Sequence, residues 1–440
     1  MNSHSSIARA LAAAFLSGDL EVDELVDRGS RLLGRRWRWL RPLARRVAET
    51  FSGRTRPRQI TATEFILADR GFSRACEKHN LQLTNLLAVP SIMCPVSAAE
   101  SWRVTPIRTA GELADWLGVA IGELDWFADL RTLEFKRNRG RLRHYHYRTL
   151  TKRFGRIRLI ESPKPRLKHI QRCILTGILN HIPPHAAVHG FRRGRSIKTF
   201  AAPHVGKRVV MRIDLQDFFP SVSVARIQSL FRTVGYPEKV ADLLTGLCSN
   251  STPMDVWEND VVRSLGWQMR HIPWLYSQPH LPQGAPTSPA LANLCAYRLD
   301  CRLSGLAHSA GATYTRYADD LAFSGDRDFE RAAKRFHIHV CATVMEERFS
   351  VHHRKTRIMR QGVRQYLAGM VVNQRLNVPR DDFDRLKATL TNCIRLGAQS
   401  QNRGGHDDYR GHLAGRIAFV EMVNPTRGSR LRKLFDQVEW

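Results

Sequence analysis

An adjacent pair of aspartates between two β-rich arms constrains this chain more than any other feature. The segment is Thr313-Tyr-Thr-Arg-Tyr-Ala-Asp-Asp-Leu-Ala-Phe-Ser324, and it reads as strands over Thr313–Tyr317 and Leu321–Ser324 joined at a hairpin tip. Adjacent like charges at such a tip repel unless cations neutralise them, and hard divalent ions such as Mg²⁺ accept carboxylate oxygens. The plain alternative is an Asx-type turn with two solvated aspartates. A third carboxylate changes the balance. The run Val209-Val-Met-Arg-Ile-Asp-Leu-Gln-Asp-Phe-Phe-Pro220 is an apolar strand that reaches Asp214 before Pro220 breaks it. A charge at the end of a buried strand must face a cleft or a metal. Asp214 and Asp319 together suit two ions about 3.5–4 Å apart, an arrangement that activates an attacking 3′-hydroxyl and stabilises a leaving pyrophosphate.

Between these two segments lies Leu281-Pro-Gln-Gly-Ala-Pro-Thr-Ser-Pro-Ala-Leu-Ala-Asn-Leu294. Gln283-Gly284 forms a loop that admits close backbone approach. Ser288 suits an N-cap and Pro289 the first helical position, so a helix starts there with its N-terminus available to a nucleotide. Alone it is an ordinary loop–helix joint. The order strand-Asp, Gly-loop-helix, Asp-Asp hairpin resembles the fingers and palm of a reverse transcriptase. Asp214-Leu-Gln-Asp-Phe-Phe219 is similar to that family's first carboxylate motif, and Tyr317-Ala-Asp-Asp320 to its hairpin. Arg158-Leu-Ile-Glu-Ser-Pro163 with Leu167-Lys-His-Ile-Gln171 resembles the fingers strand and helix. Lys355-Thr356 resembles the lysine motif near the triphosphate, and Tyr366-Leu-Ala-Gly-Met-Val-Val-Asn373 the primer-grip hairpin. The resemblance spans roughly residues 108–435.

The resemblance implies an α/β (α+β) right-hand polymerase fold: fingers, a palm of antiparallel sheet with helices, and a small helical thumb. It makes Asp214, Asp319 and Asp320 the catalytic, metal-binding carboxylates for two Mg²⁺ ions, with the Leu215 carbonyl an added ligand. Phe219 falls at the aromatic steric gate against a ribose 2′-hydroxyl, with core packing as its alternative. Gln283 and Gly284 contact the incoming nucleotide. Arg158 aligns with a triphosphate-binding arginine, with Lys152, Arg153 or Arg156 assisting and none singled out. Lys355 serves as general acid for pyrophosphate or only neutralises charge.

Two features resemble the retron branch. His185-Ala-Ala-Val-His189 is similar to the retron N-A-x-x-H element with histidine for asparagine, and Leu367-Ala-Gly369 stands where retrons usually carry V-T-G. About 67 residues follow Asn373, room for a thumb but not for a ribonuclease H domain or for group II intron maturase and endonuclease regions. A bacterial retron-type enzyme is therefore expected. The resemblance then implies dNTPs, an RNA–DNA duplex, a cognate non-coding RNA template, an effector protein and a role in antiphage defence. The alternatives are a non-retron defence-associated or intron-type reverse transcriptase, or a vestigial RNA-binding scaffold. Retention of all three aspartates, Gln283 and Lys355 speaks against decay.

Composition agrees with a nucleic-acid partner. Across 440 residues, 69 Lys and Arg face 40 Asp and Glu, a formal charge of +29 that attracts polyanions. No apolar run reaches the length of a membrane span, and the N-terminal apolar stretch reads as a short helix rather than a signal peptide. The eight cysteines form no C-x-x-C pair and read as the scattered thiols of a reducing, cytoplasmic setting. At about 150 residues per domain the length suggests two to three domains. By texture these are a basic helical N-terminal extension over 1–105, fingers and palm over 106–379, and a thumb over 380–440. The stretch Arg31–Arg46 reads as one basic helix interleaved with Trp37 and Trp39. It either grips phosphates with stacking tryptophans or buries the tryptophans and solvates the arginines. An effector-docking role for this zone stands beside the RNA-clamp role.

Overall fold

The computed structural model describes residues 4–84, 92–136, 143–151, 157–257 and 271–440. Lys152, Arg153 and Arg156 lie outside the described residues. The chain divides into two units, each assembled from separated stretches of sequence.

The first unit holds residues 1–183 and 219–295. It opens on the helices His4–Leu16, Val22–Leu32, Leu40–Phe51, Gln59–Leu67 and Arg70–Lys78. Their apolar stripes close on one another through Leu11, Phe15, Leu25, Leu40, Leu43 and Phe72. The single helix expected over Arg31–Arg46 is broken between Leu32 and Leu40. Gly34 adopts φ +72°, and a Cβ there would lie 2.5 Å from the Thr84 hydroxyl oxygen, so the chain turns where only glycine fits. Trp37 and Trp39 pack half-buried on the core, and the Arg35 guanidinium lies 3.5 Å over the Trp37 ring. The core reading of the tryptophans holds. Further along, Thr109 caps the Ala110–Leu117 helix, its hydroxyl accepting from the Glu112 N–H at 3.1 Å. Strands β1 (Tyr145–Thr151) and β2 (Ile157–Pro163) pair antiparallel, Thr151 opposite Ile157 and Tyr145 opposite Pro163. Alternation along β2 buries Ile157, Leu159 and Glu161 and turns Arg158 outward.

The second unit holds residues 184–218 and 296–440. Its sheet is built around β3 (Val209–Gln216), whose nearly continuous apolar run lets both faces be covered. β4 (Thr313–Tyr317), β5 (Asp320–Gly325), β3 and β6 (Ser350–Val351) follow in that order, and β7 (Arg357–Arg360) also pairs with β3. All these pairings are antiparallel. β8 (Tyr366–Leu367) and β9 (Met370–Val371) form a hairpin across Ala368 at φ +43° and Gly369 at φ +89°. Two successive left-handed residues are what a tight hairpin turn of matching twist demands, so the glycine shared with V-T-G is a backbone requirement. The helices Arg380–Leu396, Tyr409–Val423 and Pro425–Phe435 complete the unit, and Leu390, Leu413 and Leu431 share a core with Val210, Leu367 and Met370. Gly397 follows the first of these helices at φ +79° and ends it. All eight cysteines are free, and among the described residues no helix is long and apolar enough to cross a membrane.

Candidate active site

In the second unit the register of β3 against β5 sets Asp214 directly opposite Asp320. Asp214 is 3 % exposed, and both its carboxylate oxygens accept from the Lys355 Nζ, at 2.9 and 3.0 Å. Its carbonyl accepts from the His352 N–H at 2.7 Å, which ties β3 to the turn that carries Lys355. Asp320 is held by Arg212, whose Nε and Nη2 donate at 2.9 and 3.1 Å. Burial pushes the Asp320 carboxyl up to about 6; Arg212 pulls it down, and the charges of Asp319 and Asp214 push it up again. Asp319 occupies the two-residue turn between β4 and β5. Its carbonyl accepts from the Leu215 N–H at 2.8 Å, so the turn is stitched to β3. Among the described residues no group of three His, Cys, Asp or Glu side chains is arranged to hold a metal ion. Asp214 is drawn toward Lys355 and Asp320 toward Arg212, each carboxylate already neutralised by a cation.

The turn itself is strained. Ala318, its first residue, sits at φ +54° without the freedom of glycine. Arg316 holds it from below, donating from Nη1 to the Ala318 carbonyl at 3.2 Å. Arg316 is wholly buried and grips Asp300, also wholly buried, through Nε at 2.7 Å and Nη2 at 2.6 Å. The Tyr314 hydroxyl donates to the same carboxylate at 2.8 Å. On the other side, Gly190 abuts the turn so closely that a Cβ would lie 2.6 Å from the Ala318 nitrogen. His189 donates its N–H to the Arg316 carbonyl, and Arg316 its own to Ala187, both at 2.8 Å. His185 Nδ1 accepts from the Ala187 N–H at 3.2 Å, the bond an asparagine side chain would make at that position. The departure from N-A-x-x-H thus keeps the local hydrogen bond. Behind β4 and β5, His204 is buried between the Thr315 and Ser324 hydroxyls, each at 2.7 Å, and burial pushes its pKa down to about 3.

In the first unit a second carboxylate organises the Gln283-Gly284 loop. Glu161, fully buried on β2, accepts from the side chains of Asn250 and Thr252 at 2.8 Å, from His280 Nε2 at 3.0 Å and from the Gln283 N–H at 3.3 Å. Its own N–H donates to the Gln283 carbonyl at 2.9 Å. Burial alone would neutralise both Glu161 and His280; their mutual attraction prevails, holding the carboxyl low and the imidazole high. Gly284 at φ +137° would place a Cβ 2.8 Å from the Glu161 carbonyl oxygen, so the close approach requires glycine. The following helix runs Ser288–Cys295. The capping position falls one residue earlier than expected: the Thr287 carbonyl accepts the first helical bond from Leu291, and the Ser288 hydroxyl donates instead to the Pro282 carbonyl at 2.7 Å. Arg158 is exposed on the outer face of β2, and Phe219 is half-exposed, whereas its neighbour Phe218 is buried.

Residues 150–374 match the family of reverse transcriptases (RNA-dependent DNA polymerases). Over 367 residues the chain is 40 % identical to the Retron Mx65 reverse transcriptase of Myxococcus xanthus, covering 83 % of this chain and 79 % of that protein. The chain belongs to the retron reverse transcriptases. It is 38 % identical to the Retron Mx162 reverse transcriptase of the same organism, over 74 % of this chain and 66 % of that one. To the Retron Ec86 reverse transcriptase of Escherichia coli it is 28 % identical, over 64 % and 77 %. As a retron reverse transcriptase it is an RNA-directed DNA polymerase, and its antiparallel sheet with packed helices is the right-hand polymerase fold.

Sequence reasoning about this retron reverse transcriptase passed over Arg212, Glu161, His280, Asp300 and Arg316. Arg212 was within reach, because strand periodicity puts residue i−2 on the same face as Asp214. Glu161 was also marked by parity, a lone carboxylate on the apolar face of Ile157 and Leu159. Asp300 and His280 carry no local signal, since their partners are supplied by distant segments.

Proposed function

We propose that Asp214, Asp319 and Asp320 are the metal-binding carboxylates of this retron reverse transcriptase, with the Leu215 carbonyl an added ligand. The observation that carries the reading is Asp214 facing Asp320 across β3 and β5, with Asp319 in the adjoining turn. The donor set is hard oxygen and suits Mg²⁺. Two bound Mg²⁺ ions would polarise the attacking 3′-hydroxyl and offset charge on the departing pyrophosphate. Lys355 and Arg212 neutralise the carboxylates as they stand and would yield them to bound ions. Lys355, whose side chain is 48 % exposed, then turns its ammonium toward the triphosphate, as general acid or as a counter-charge.

In the first unit, Gln283 and the backbone of Gly284 receive the incoming dNTP, with Glu161 fixing the loop. Exposed Arg158 contacts the triphosphate, and the half-exposed Phe219 ring excludes a ribose 2′-hydroxyl. The strongly positive chain tracks an RNA–DNA duplex formed on a cognate structured non-coding RNA. Residues 1–105 serve as the extension, 106–379 as fingers and palm, and 380–440 as thumb. A cytoplasmic role in antiphage defence with an effector protein follows from the retron kinship.

The test is Asp319→Asn. It should lower dNTP incorporation on an RNA template by at least about a thousandfold, the worth of several kcal/mol of transition-state charge stabilisation, while RNA affinity stays unchanged. Normal polymerisation by that variant would sink the site assignment.

A further inference from the structure

One exposed side chain beside the hairpin has no role in the site as described. Phe191 is the single aromatic among the described residues in the left-handed region, at φ +55°, and it is 50 % exposed. A bulky residue rarely adopts that conformation. Such outliers gather at ligand sites. The backbone beneath it is fixed: Gly190 abuts the Ala318 nitrogen, and His189 is bonded to the Arg316 carbonyl. The backbone that carries Phe191 is therefore held against the hairpin. Its centroid lies 6.4 Å from that of Tyr317, the residue that leads into the Ala318-Asp319 turn. The next residues are Arg192, Arg193, Gly194 and Arg195, with Arg193 and Arg195 exposed.

An aromatic face beside a run of arginines is the chemistry of a nucleic-acid strand: the ring stacks on a base of any identity and the guanidiniums meet phosphates. We propose that Phe191 is a stacking surface for the terminal base of the primer strand, with Arg193 and Arg195 on the adjoining phosphates. The charge run favours this polyanion over a protein partner. The inference rests on the placement of the active site at Asp319 and adds to it a residue that holds the primer end beside the turn.

The experiment uses the full chain and an RNA template annealed to a DNA primer ending in 2-aminopurine, without divalent ions. Binding is read by anisotropy and stacking by quenching of the 2-aminopurine. Phe191→Asn is the informative variant, because asparagine tolerates the left-handed conformation and removes only the ring. It should bind the primer–template about tenfold more weakly and leave the base unquenched. Phe191→Trp should quench as the parent does. Arg193→Ala combined with Arg195→Ala should reduce the salt slope of binding by about two, one per lost phosphate contact. Parent-like affinity and quenching in Phe191→Asn would overturn the proposal, as would failure of Phe191→Trp to quench with its thermal midpoint unchanged. Asp319→Asn should bind and quench normally. If instead it polymerises normally, the carboxylate assignment falls while the stacking result stands by itself.

Discussion

Asp214 and Asp300 are both buried aspartates in the second unit, and each is gripped through both oxygens by a cation. They differ in where the cation stands. Lys355 reaches Asp214 from solvent with nearly half its side chain exposed, whereas Arg316 is sealed in with Asp300. A sealed pair has lost hydration on both sides, so neither member can leave without stranding the other. A cation reaching in from water can withdraw and be rehydrated. One unit thus carries an exchangeable pair at the proposed metal site and a permanent pair under the turn that holds Asp319.

The largest expected effect tests permanence. Arg316→Met strands the Asp300 carboxylate and should cost about 3–5 kcal/mol in chemical denaturation. Activity should fall with it, since the strained Ala318 carbonyl loses its donor. Pairing it with Asp300→Leu should restore much of the stability but not the activity. A loss under about 1 kcal/mol for the single variant would erase the distinction between the two pairs.

His204 extends the comparison to a buried group kept neutral. Its pKa is lowered in the folded state from the ordinary 6.5 to about 3. The stabilisation is therefore complete above pH 6.5 and is lost as pH falls from 6.5 toward 3, because the unfolded chain takes up the proton first. Denaturation midpoints followed across that range should show a slope of up to about 1.4 kcal/mol per pH unit from this group. His204→Gln should flatten it.

The smallest effect on stability belongs to the exchangeable pair. Lys355→Met should cost only about 1–2 kcal/mol while lowering kcat. A stability loss as large as that of Arg316→Met would show that Lys355 is structural.

Much of this was legible in the residues. Thr313–Tyr317 was legible at its observed bounds, and the apolar run from Val209 marked the start of β3. The order of Asp214, Gln283-Gly284 and Asp319-Asp320 carried the resemblance to the reverse transcriptases, the family to which the chain belongs. Local signals failed where the deciding partner lies far along the chain. Nothing near Gly34 announces that Thr84 will crowd it and break the basic helix. Nothing near Ser288 announces that Pro282 will take its hydroxyl. Asp300 and Arg316 sit 16 residues apart on a helix and a strand, and only their burial together explains either.

Strand β3 pairs with β5 along one edge and with β6 and β7 along the other, and its side chains alternate between the two faces of the sheet. Drawing the chain back by one residue upstream of Asp214 would put Leu215 where Asp214 faces Asp320 and would turn Asp214 to the far face. In genetic terms, an in-frame loss of a single codon between Val209 and Ile213 should remove Asp214 from its place opposite Asp320 as surely as deleting it. The same loss in the polar Gln399–Asp407 stretch should be carried silently.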